Sequence, residues 1–444
     1  MVETISANEF RDMVDAARRG EREFAVVDTR PEESYRGWRI AGAVNYVYKP
    51  FHRFDPDEFE AATGIGPEET VVTVCAKGKS SHALADDLVA AGYGDVYAID
   101  DGMRGWSAVY DRAEVPLPDA GDDPLEVVQI QRRAKGCLGY LIVGGRADAG
   151  DDGDTASDPD DSRVAVADSG GSRVAIAVDV SRHGEEWRAA AAERDASITA
   201  VLDTHVHADH LSGGRALADE LGVPYVLPAA AEARDVTDDF EPIERNETLS
   251  VGGVDVKALA TPGHTDDGAS YLVGRSAVLT GDTLFTEGVG RTELQFAADG
   301  ADGSDGDGTR NGGADRESAG ARTGAKRLYD SLHGTLLAEP DDVVVLPGHF
   351  SVANDGTTGD AIPGEPVATT VGAARRGIGI LGLDREGFVE EITATLPEKP
   401  PNYESVIAAN RGVEEPADEV AAIELEMGPN RCAAEPAPEP EAGD

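Results

Sequence analysis

Cysteine and positive charge are both scarce in this chain of 444 residues. Three cysteines, a sparse and odd number, argue against a disulfide framework and indicate a reducing compartment. Lysine and arginine number 39 against 85 acidic residues, which leaves a formal charge of -46. Such a surface repels nucleic acid and anionic membranes, so we expect neither as a partner. Molar salt, where the Debye length is about 3 Å, would screen the self-repulsion, and we interpret the charge as a halophilic adaptation.

Long apolar runs are also missing. No stretch reaches the roughly 18 residues that a membrane-spanning helix needs, and Met1–Phe10 lacks the charged and then apolar pattern of a signal peptide. We therefore expect a cytoplasmic protein. Hydrophobic residues still make up 40% of the chain, which is enough to build cores, and the length predicts two or three domains.

The first domain is predicted over residues 1–115, where strand and helix patterns alternate. Val71–Val74 is a short apolar strand, Ser80–Ala91 has a helical pattern, and Ser6 with Glu9 forms a capping box before another helix. This alternation predicts an α/β fold, with a parallel sheet flanked by helices.

The rest of the chain divides by composition. A Pro- and Asp-rich linker at 116–124 precedes a second domain predicted over 125–412. Acidic Gly, Asp and Ser insertions at 146–161 and 297–323 have the composition of solvated loops. The acidic tail at 413–444 is rich in Pro, Ala and Glu, and we expect it to be disordered.

Candidate metal ligands stand just beyond the ends of four apolar strands. Imidazole and carboxylate groups of this kind bind Zn²⁺ and Fe²⁺, and five of the nine histidines fall in these motifs. If the strands belong to one sandwich, their ends converge at one edge, which predicts a metal site. The candidates are His205, His207, Asp209, His210, His264, Asp282 and His349. Cys137 lies in a strand pattern, and we expect it in the core rather than among the ligands.

Cys75 is the candidate nucleophile. It ends the strand Val71–Val74 and is followed by a tight loop and a helix, whose backbone N–H groups stabilise negative charge. Lys77 and Lys79 add positive charge in a chain with few lysines, and they are candidates for substrate binding. These features favour a thiolate and then a persulfide on Cys75; a buried cysteine without function is the alternative.

The first domain resembles the rhodanese family. Asp28-Thr-Arg30, Gly37 and Ile40–Ala43 are similar to its D-x-R…G-x-I-x-G-A signature, and Asp101–Trp106 is similar to its closing segment. The resemblance implies a sulfurtransferase in which Cys75 carries sulfur. Trp38 and Ala41 replace the His and Pro usual in that signature.

The second domain resembles the metallo-β-lactamase superfamily, in its glyoxalase II and persulfide dioxygenase branch. The HxHxDH, GHT, GD and PGH motifs carry the resemblance, which implies an αββα sandwich. Thr280–Gln295 is similar to the GxGRTDxQ segment of persulfide dioxygenases, and Pro397–Arg411 to their C-terminal PPNY ending. Within the first segment, Arg291 either holds an anionic substrate group or forms an ion pair that locks the loop.

The resemblance leaves two metal arrangements open. In the persulfide dioxygenase pattern, His205, His264 and Asp282 would hold one Fe(II) per chain, and the other four candidates would orient ligands and water. In the glyoxalase II pattern, all seven would bind two Zn(II), with Asp282 bridging. The GRTELQ sequence favours iron.

We therefore predict a persulfide dioxygenase that oxidises a low-molecular-weight thiol persulfide to sulfite, coupled to sulfurtransferase activity through Cys75. The alternative is a dinuclear zinc thioester hydrolase of the glyoxalase II type with a rhodanese module. A non-catalytic sulfur-delivery protein with a vestigial metal site is a third hypothesis. The expected partners are small molecules, namely a thiol persulfide, thiosulfate or a thioester, and the sequence is compatible with a homodimer.

Overall fold

The structure is a computed structural model. It describes residues 2–51, 53–118, 125–146, 163–164, 173–294, 312–394, 399–400 and 402–428. The insertion predicted at 146–161 therefore lies outside the described residues apart from Arg146, as do Gln295 and positions 297–311 of the second insertion.

A five-stranded parallel sheet forms the first domain, in the order β1-β5-β4-β2-β3. Its strands are β1 Glu3–Ile5, β2 Ala25–Asp28, β3 Val44–Asn45, β4 Val71–Val74 and β5 Val96–Ile99. Its helices are α1 Ala7–Arg18, α2 Glu32–Gly37, α3 Pro56–Thr63, α4 Lys79–Ala90 and α5 Gly102–Ser107. The Ser6 and Glu9 capping box is present at α1, which confirms that prediction.

Two seven-stranded sheets form the second domain, in the orders β13-β12-β11-β10-β8-β7-β6 and β19-β18-β17-β16-β15-β14-β9. Their strands are β6 Tyr110–Glu114, β7 Glu126–Arg132, β8 Cys137–Arg146, β9 Arg163–Val164, β10 Arg173–Val178, β11 Ala196–Leu202, β12 Tyr225–Pro228, β13 Glu241–Ile243, β14 Thr248–Val251, β15 Val254–Ala260, β16 Ala269–Val273, β17 Ala277–Gly281, β18 Val344–Pro347 and β19 Thr369–Thr370. The helices are α6 Glu185–Ala192, α7 Gly214–Leu221, α8 Gly312–Gly334, α9 Val371–Gly377, α10 Arg385–Ala394, α11 Tyr403–Asn410 and α12 Glu419–Leu425.

Apolar packing holds this domain in four layers. Side chains from both sheets, such as Ile176 and Tyr271, share one central core. Helices α6 and α7 cover the outer face of the first sheet through residues such as Trp187. Helices α8, α9 and α10 cover the other sheet through residues such as Leu328 and Phe388. The result is an αββα sandwich, as a sheet that is apolar on both faces requires.

The boundary between the domains lies earlier than the sequence predicted. Tyr110–Glu114, assigned above to the first domain within 1–115, forms β6 and pairs antiparallel with β7 of the second domain. Val109 and Tyr110 are buried. Pairing with β7 satisfies the backbone N–H and C=O groups of this segment. The sequence pattern of one short strand could not show which of the sheets it would join.

Two segments predicted as loop or tail are helical. Residues 312–323 of the second insertion belong to α8, where Ala321 and Ala325 are fully buried. Within the 413–444 tail, α12 packs Ala422 and Leu425 against Leu211. In α12, an apolar face stabilises the helix, although the average composition of the tail is that of disordered chain. The remainder of the tail, 429–444, lies outside the described residues.

Among the helices that the structure describes, none combines the length and the apolar character that crossing a membrane requires.

Candidate metal centre and sulfur-transfer loop

The strand ends bring the metal-ligand candidates together, as the sequence predicted. His205, His207, Asp209 and His210 occupy the loop after β11. His264 follows β15, Asp282 follows β17 directly, and His349 follows β18. All seven side chains are buried, with exposures of 4% or less.

Three of these side chains converge on one point. The Nε2 atoms of His205 and His264 lie 3.9 and 3.5 Å from Oδ2 of Asp282. None of these three buried atoms has a hydrogen-bond partner. Leaving a buried polar atom unpaired costs about 1–3 kcal/mol, and three such atoms that face one another are arranged to bind a cation. The two-histidine, one-carboxylate set fits a divalent metal.

The far sides of the two imidazoles are anchored. Nδ1 of His264 lies 2.8 Å from the carbonyl oxygen of Arg291. A carbonyl only accepts, so this nitrogen carries the proton and Nε2 presents its lone pair. Nδ1 of His205 contacts the hydroxyl of Thr204 at 3.0 Å. Burial, and then the neighbouring His207, hold the pKa of His205 well below its usual value, so the ring is neutral as a metal ligand must be.

His349 links two carboxylates. Its Nδ1 lies 2.6 Å from Oδ1 of Asp282, and its Nε2 lies 2.8 Å from Oδ2 of Asp209. Burial alone would lower the pKa of His349, but the two carboxylates raise it well above its ordinary value. Asp282 thus has one oxygen held by His349 and the other free for a metal. His210 contacts the remaining oxygen of Asp209 through Nδ1 at 3.1 Å.

His207 lies in a different group from the three converging ligands. Its Nε2 is 3.3 Å from Oδ1 of Asp179, which also accepts hydrogen bonds from the backbone and hydroxyl of Thr204. Asp203 completes this buried group of possible ligand atoms. Sequence reasoning missed Asp179, a residue with a left-handed φ of 48° in a loop that no motif marks.

Cys137 corrects an expectation from the sequence. Its thiol is buried, but it lies 3.7 Å from Oδ2 of Asp209, within a group that also contains His210 and His349. The backbone explains the position, because Cys137 forms a β-bridge with His349. Burial raises the pKa of Cys137, but the adjacent His210 outweighs it and the pKa falls to about 6. A thiol therefore does lie beside the ligand candidates.

Two polar residues that sequence reasoning missed hold the histidine loop in shape. The side-chain amide of Asn410, in α11, donates to the carbonyl oxygens of His207 and His210 at 2.9 and 2.8 Å. Asp267 accepts the backbone N–H of Val206 at 2.8 Å. Asn410 lies in the segment that resembles the PPNY ending, and that resemblance is the only signal that could have pointed to it.

Arg291 is fully buried, and its guanidinium pairs with Glu293. This contact agrees with the loop-locking alternative. Its backbone carbonyl oxygen also anchors His264, so the GRTELQ segment supports the ligand set from behind. A contact between Arg291 and substrate stays a prediction.

Cys75 lies directly after β4, at the start of a loop capped by α4. Ser81 donates a hydrogen bond to its sulfur at 3.3 Å. Burial raises the pKa of this thiol, but Ser81, Ser80 and the backbone N–H of Lys77 together bring it below its ordinary value. Lys77 on this loop and Lys79, the first residue of α4, are exposed. The loop is thus built to hold negative charge on sulfur.

The remaining signature residues of this domain are structural. Arg30 and Asp28 form a buried, two-contact ion pair at 3.0 and 2.6 Å. Arg30 also donates to the carbonyl oxygen of Trp38 at 2.5 Å. The indole N–H of Trp38 in turn reaches the carbonyl oxygen of Ala134, in the hairpin between β7 and β8, at 3.2 Å.

The fold and the two sites define a two-domain chain, with an α/β domain that carries a charge-stabilised cysteine and an αββα domain that carries a buried His/Asp metal centre. Family models match on the same division: a rhodanese-like domain at residues 6–109 and the metallo-beta-lactamase superfamily at residues 163–349. The chain therefore contains a rhodanese-like domain followed by a domain of the metallo-beta-lactamase superfamily, which confirms the predicted fold classes.

The chain is similar to several known proteins. The probable hydroxyacylglutathione hydrolase glo2 of Schizosaccharomyces pombe is 33% identical over 161 residues, or 36% of this chain and 50% of that protein. A hydroxyacylglutathione hydrolase of Acidiphilium cryptum is 41% identical over 102 residues, or 22% and 42% of the two chains. The chain thus spans half or less of these relatives. The crystal structure of ETHE1 from Myxococcus xanthus is 25% identical, with a TM-score of 0.45 over 64% of this chain and 98% of that one.

Proposed function

We propose that this chain oxidises a low-molecular-weight thiol persulfide to sulfite with O₂, and that Cys75 transfers sulfane sulfur as a covalent carrier. The overall oxidation balances as persulfide plus O₂ plus water, giving free thiol, sulfite and two protons. Sulfite is an acceptor for a persulfide sulfur, so the product of one domain is a reactant for the other. We propose a cytoplasmic location for this chemistry.

The observation that carries the proposal is the set of three unpartnered atoms on His205, His264 and Asp282. The ring nitrogens of His207 also have no hydrogen-bond partner, but its possible ligand atom groups with those of Asp179 and Asp203 and not with these three. A two-histidine, one-carboxylate face with open positions is typical of non-haem Fe(II) oxygenases. The GRTELQ resemblance supports the same choice.

The side chains around this face have defined tasks. Iron(II), when bound, would supply the redox chemistry with O₂ that no protein side chain can supply. His349 holds one oxygen of Asp282 and so restricts this carboxylate to a single ligand atom. Arg291 fixes His264 through its carbonyl oxygen. Burial of all these groups excludes bulk water from the reacting sulfur.

In the first domain, the thiolate of Cys75 would attack the outer sulfur of thiosulfate. The S–S bond of thiosulfate breaks, sulfite leaves with the electron pair, and a persulfide remains on Cys75. In the opposite direction, sulfite attacks the outer sulfur of the Cys75 persulfide and thiosulfate leaves. The N–H and O–H groups of Ser80 and Ser81 that face the sulfur stabilise the anion in both directions.

A second candidate function is thioester hydrolysis at two Zn(II) ions. The group of Cys137, Asp209, His210 and His349 favours it, because four possible ligand atoms lie within 4.8 Å of one another. The curated relatives named as hydroxyacylglutathione hydrolases point the same way. A second metal there would activate water for attack on a thioester.

Metal analysis combined with two activity assays separates the candidates. The dioxygenase proposal expects about one iron per chain in protein purified anaerobically, with O₂ uptake when a thiol persulfide is added. The hydrolase expects two zinc ions per chain and cleavage of a hydroxyacylglutathione without O₂. Absence of O₂ uptake by iron-replete protein would rule out the first proposal.

A further inference from the structure

The C-terminal segment of the second domain reaches the sulfur-transfer loop of the first. Oε1 of Glu424, in α12, lies 2.7 Å from a guanidinium nitrogen of Arg104 and 3.3 Å from Nζ of Lys77. One carboxylate oxygen thus lies between two cations that come from the rhodanese-like domain. Lys77 is two residues from Cys75, and Arg104 is the third residue of α5.

Helix α5 packs directly against the Cys75 loop. The backbone N–H of Met103 donates to the carbonyl oxygen of Cys75 at 2.8 Å, and that of Arg104 contacts the carbonyl oxygen of Ala76 at 3.4 Å. A Cβ at Gly102, where φ is 55°, would come within 2.0 Å of the Cys75 carbonyl oxygen. Arg104 is therefore held at the loop, although it is distant from Cys75 in sequence.

Glu424 is held in place by a rigid anchor two residues further on. The buried carboxylate of Glu426 accepts hydrogen bonds from Arg132 at 2.8 and 3.0 Å and from the backbone N–H of Leu211 at 2.9 Å. Lys135 donates to the carbonyl oxygens of Glu426 and Gly428 at 2.6 and 3.1 Å. This anchor holds the end of α12 beside the loop, within reach of Lys77 and Arg104.

The contact itself is weak enough to be displaced. The side chains of Glu424 and Lys77 are 56% and 52% exposed, whereas that of Arg104 is 14% exposed. Exposed ion pairs contribute little stability because water and salt screen them. A divalent anion that meets the same two cations competes favourably with one glutamate carboxylate.

We propose that Arg104 and Lys77 form the binding site for a divalent sulfur oxyanion, thiosulfate or sulfite, at the Cys75 loop, and that Glu424 occupies this site as a tethered competitor. The inference rests on the proposed sulfur transfer at Cys75. It adds Arg104 to the substrate contacts and gives the second domain a direct effect on the first. A substrate must displace Glu424, so the segment raises the concentration of oxyanion at which sulfur transfer begins.

Steady-state transfer of sulfur from thiosulfate to cyanide tests the proposal. Cyanide attacks the outer sulfur of the Cys75 persulfide, so thiocyanate leaves and the thiolate is restored. Glu424→Gln should lower KM for thiosulfate about two- to fivefold, the range set by an exposed ion pair, with kcat changed less than about twofold. Glu419→Gln is the matched control, because this glutamate of α12 pairs with Arg182 instead. Arg104→Gln should raise KM severalfold.

The proposal would be overturned if Glu424→Gln left KM at the value of the Glu419→Gln control, or if Arg104→Gln left it unchanged. Failure of the proposed sulfur transfer is a separate result. It would be seen if wild-type protein formed no more thiocyanate than the Cys75→Ser variant. Calorimetric titration of Cys75→Ser with thiosulfate extends the test to protein that cannot turn over. In the Cys75→Ser protein, adding Glu424→Gln should lower the Kd for thiosulfate by the same factor as KM. An unchanged Kd would contradict competition between Glu424 and thiosulfate.

Discussion

At the residue scale, the ring nitrogens and carboxylate oxygens of the metal centre divide into those with partners and those without. His349 has both ring nitrogens against carboxylates. His205, His264 and Asp282 each keep one buried atom without a hydrogen-bond partner, as do His210 at Nε2 and His207 at both ring nitrogens. The free atoms of His205 and His264 lie 3.9 and 3.5 Å from that of Asp282, and because an unpaired buried atom is costly, this convergence supports the proposal that the metal binds there. In the proposed arrangement His349 would orient Asp282, with which its Nδ1 is in contact.

Substitutions at Asp282 and His207 separate the two metal arrangements. Asp282→Asn removes the anionic ligand of the trio, and the iron content of anaerobically purified protein should fall from about one per chain to near zero. His207→Gln should retain about one iron, because His207 faces Asp179 instead. Metal analysis of both variants, with circular dichroism to confirm folding, checks the prediction. Loss of iron from His207→Gln would favour a three-histidine site.

The sequence was informative about these residues for a physical reason. A side chain that follows a strand end in a sandwich must lie at the sheet edge, so the positions of His264 and Asp282 could be predicted from the sequence. Cys137 could not be placed, because its position depends on pairing between the start of β8 and residues 348–350, more than two hundred positions away. Period and composition carry no information about such pairing.

At the element scale, the histidine loop after β11 depends on α11. Asn410 in that helix supplies two N–H groups to the carbonyl oxygens of His207 and His210 and accepts the backbone N–H of Ser212 at 2.9 Å. A single side chain therefore fixes the loop at three points. Groups that orient ligands in this way typically change metal affinity about 10–100-fold when they are removed.

Asn410→Ala should therefore weaken iron binding about 10–100-fold, because the loop loses the three hydrogen bonds that keep its histidines aligned. Titration with a competing chelator measures the change. Asn45→Ala is a matched control, since its side-chain amide also donates to two carbonyl oxygens, those of Asp28 and Arg30, at 2.9 Å each in the other domain. Equal metal affinity in the two variants would remove the assigned role of Asn410.

Helix α12 shows why some elements could not be predicted. Its seven residues, Glu419–Leu425, lie in a region whose average composition resembles a disordered tail. The helix exists because Asp418 caps it, accepting from the N–H of Ala421 at 2.8 Å, and because its apolar face finds Leu211. Tertiary contacts of this kind override composition, and they are not visible in a local sequence window.

At the scale of the whole molecule, one buried carboxylate joins both domains. Glu426 pairs with Arg132, whose Nε also donates to the carbonyl oxygen of Ser107 at the end of α5, at 2.7 Å. Arg182 reaches the same carboxylate at 3.0 Å. Removing one partner of a buried ion pair leaves the other charged and unpaired, which is strongly destabilising.

Glu426→Gln should lower the free energy of unfolding by about 3–5 kcal/mol near neutral pH, because Arg132 stays buried without its counter-charge. Urea unfolding measures it, and Glu419→Gln is the control, with an expected loss of less than about 1 kcal/mol because its side chain is exposed. A similar small loss in both variants would show that the buried network contributes little.

Acid should reduce the effect of Glu426→Gln. Burial raises the pKa of Glu426, but Arg132, Lys135 and Arg182 together hold it below the ordinary value of 4.5. A depressed folded pKa gives stability that is present above the unfolded value and is lost as pH falls through the folded one. The difference in unfolding free energy between wild type and variant should therefore shrink below pH 4.5. A difference in unfolding free energy that stays constant as the pH falls below 4.5 would contradict this role for the ionised Glu426.

The net charge of -46 predicts a strong dependence of stability on salt. Raising KCl from about 0.1 M to about 1 M shortens the Debye length from about 10 Å to about 3 Å and screens the self-repulsion. The midpoint of thermal unfolding should rise over this range. A midpoint that is constant or falls with KCl would contradict the interpretation of the charge as an adaptation to salt.

The central claim is that three ligands hold one redox-active iron and that the reaction consumes O₂. An oxygen-electrode trace on native protein of measured metal content, started by adding a thiol persulfide, tests it most directly. The protein should contain about one iron per chain and consume one O₂ for each sulfite formed. Two zinc ions per chain, with no O₂ uptake and with cleavage of a hydroxyacylglutathione, would contradict it.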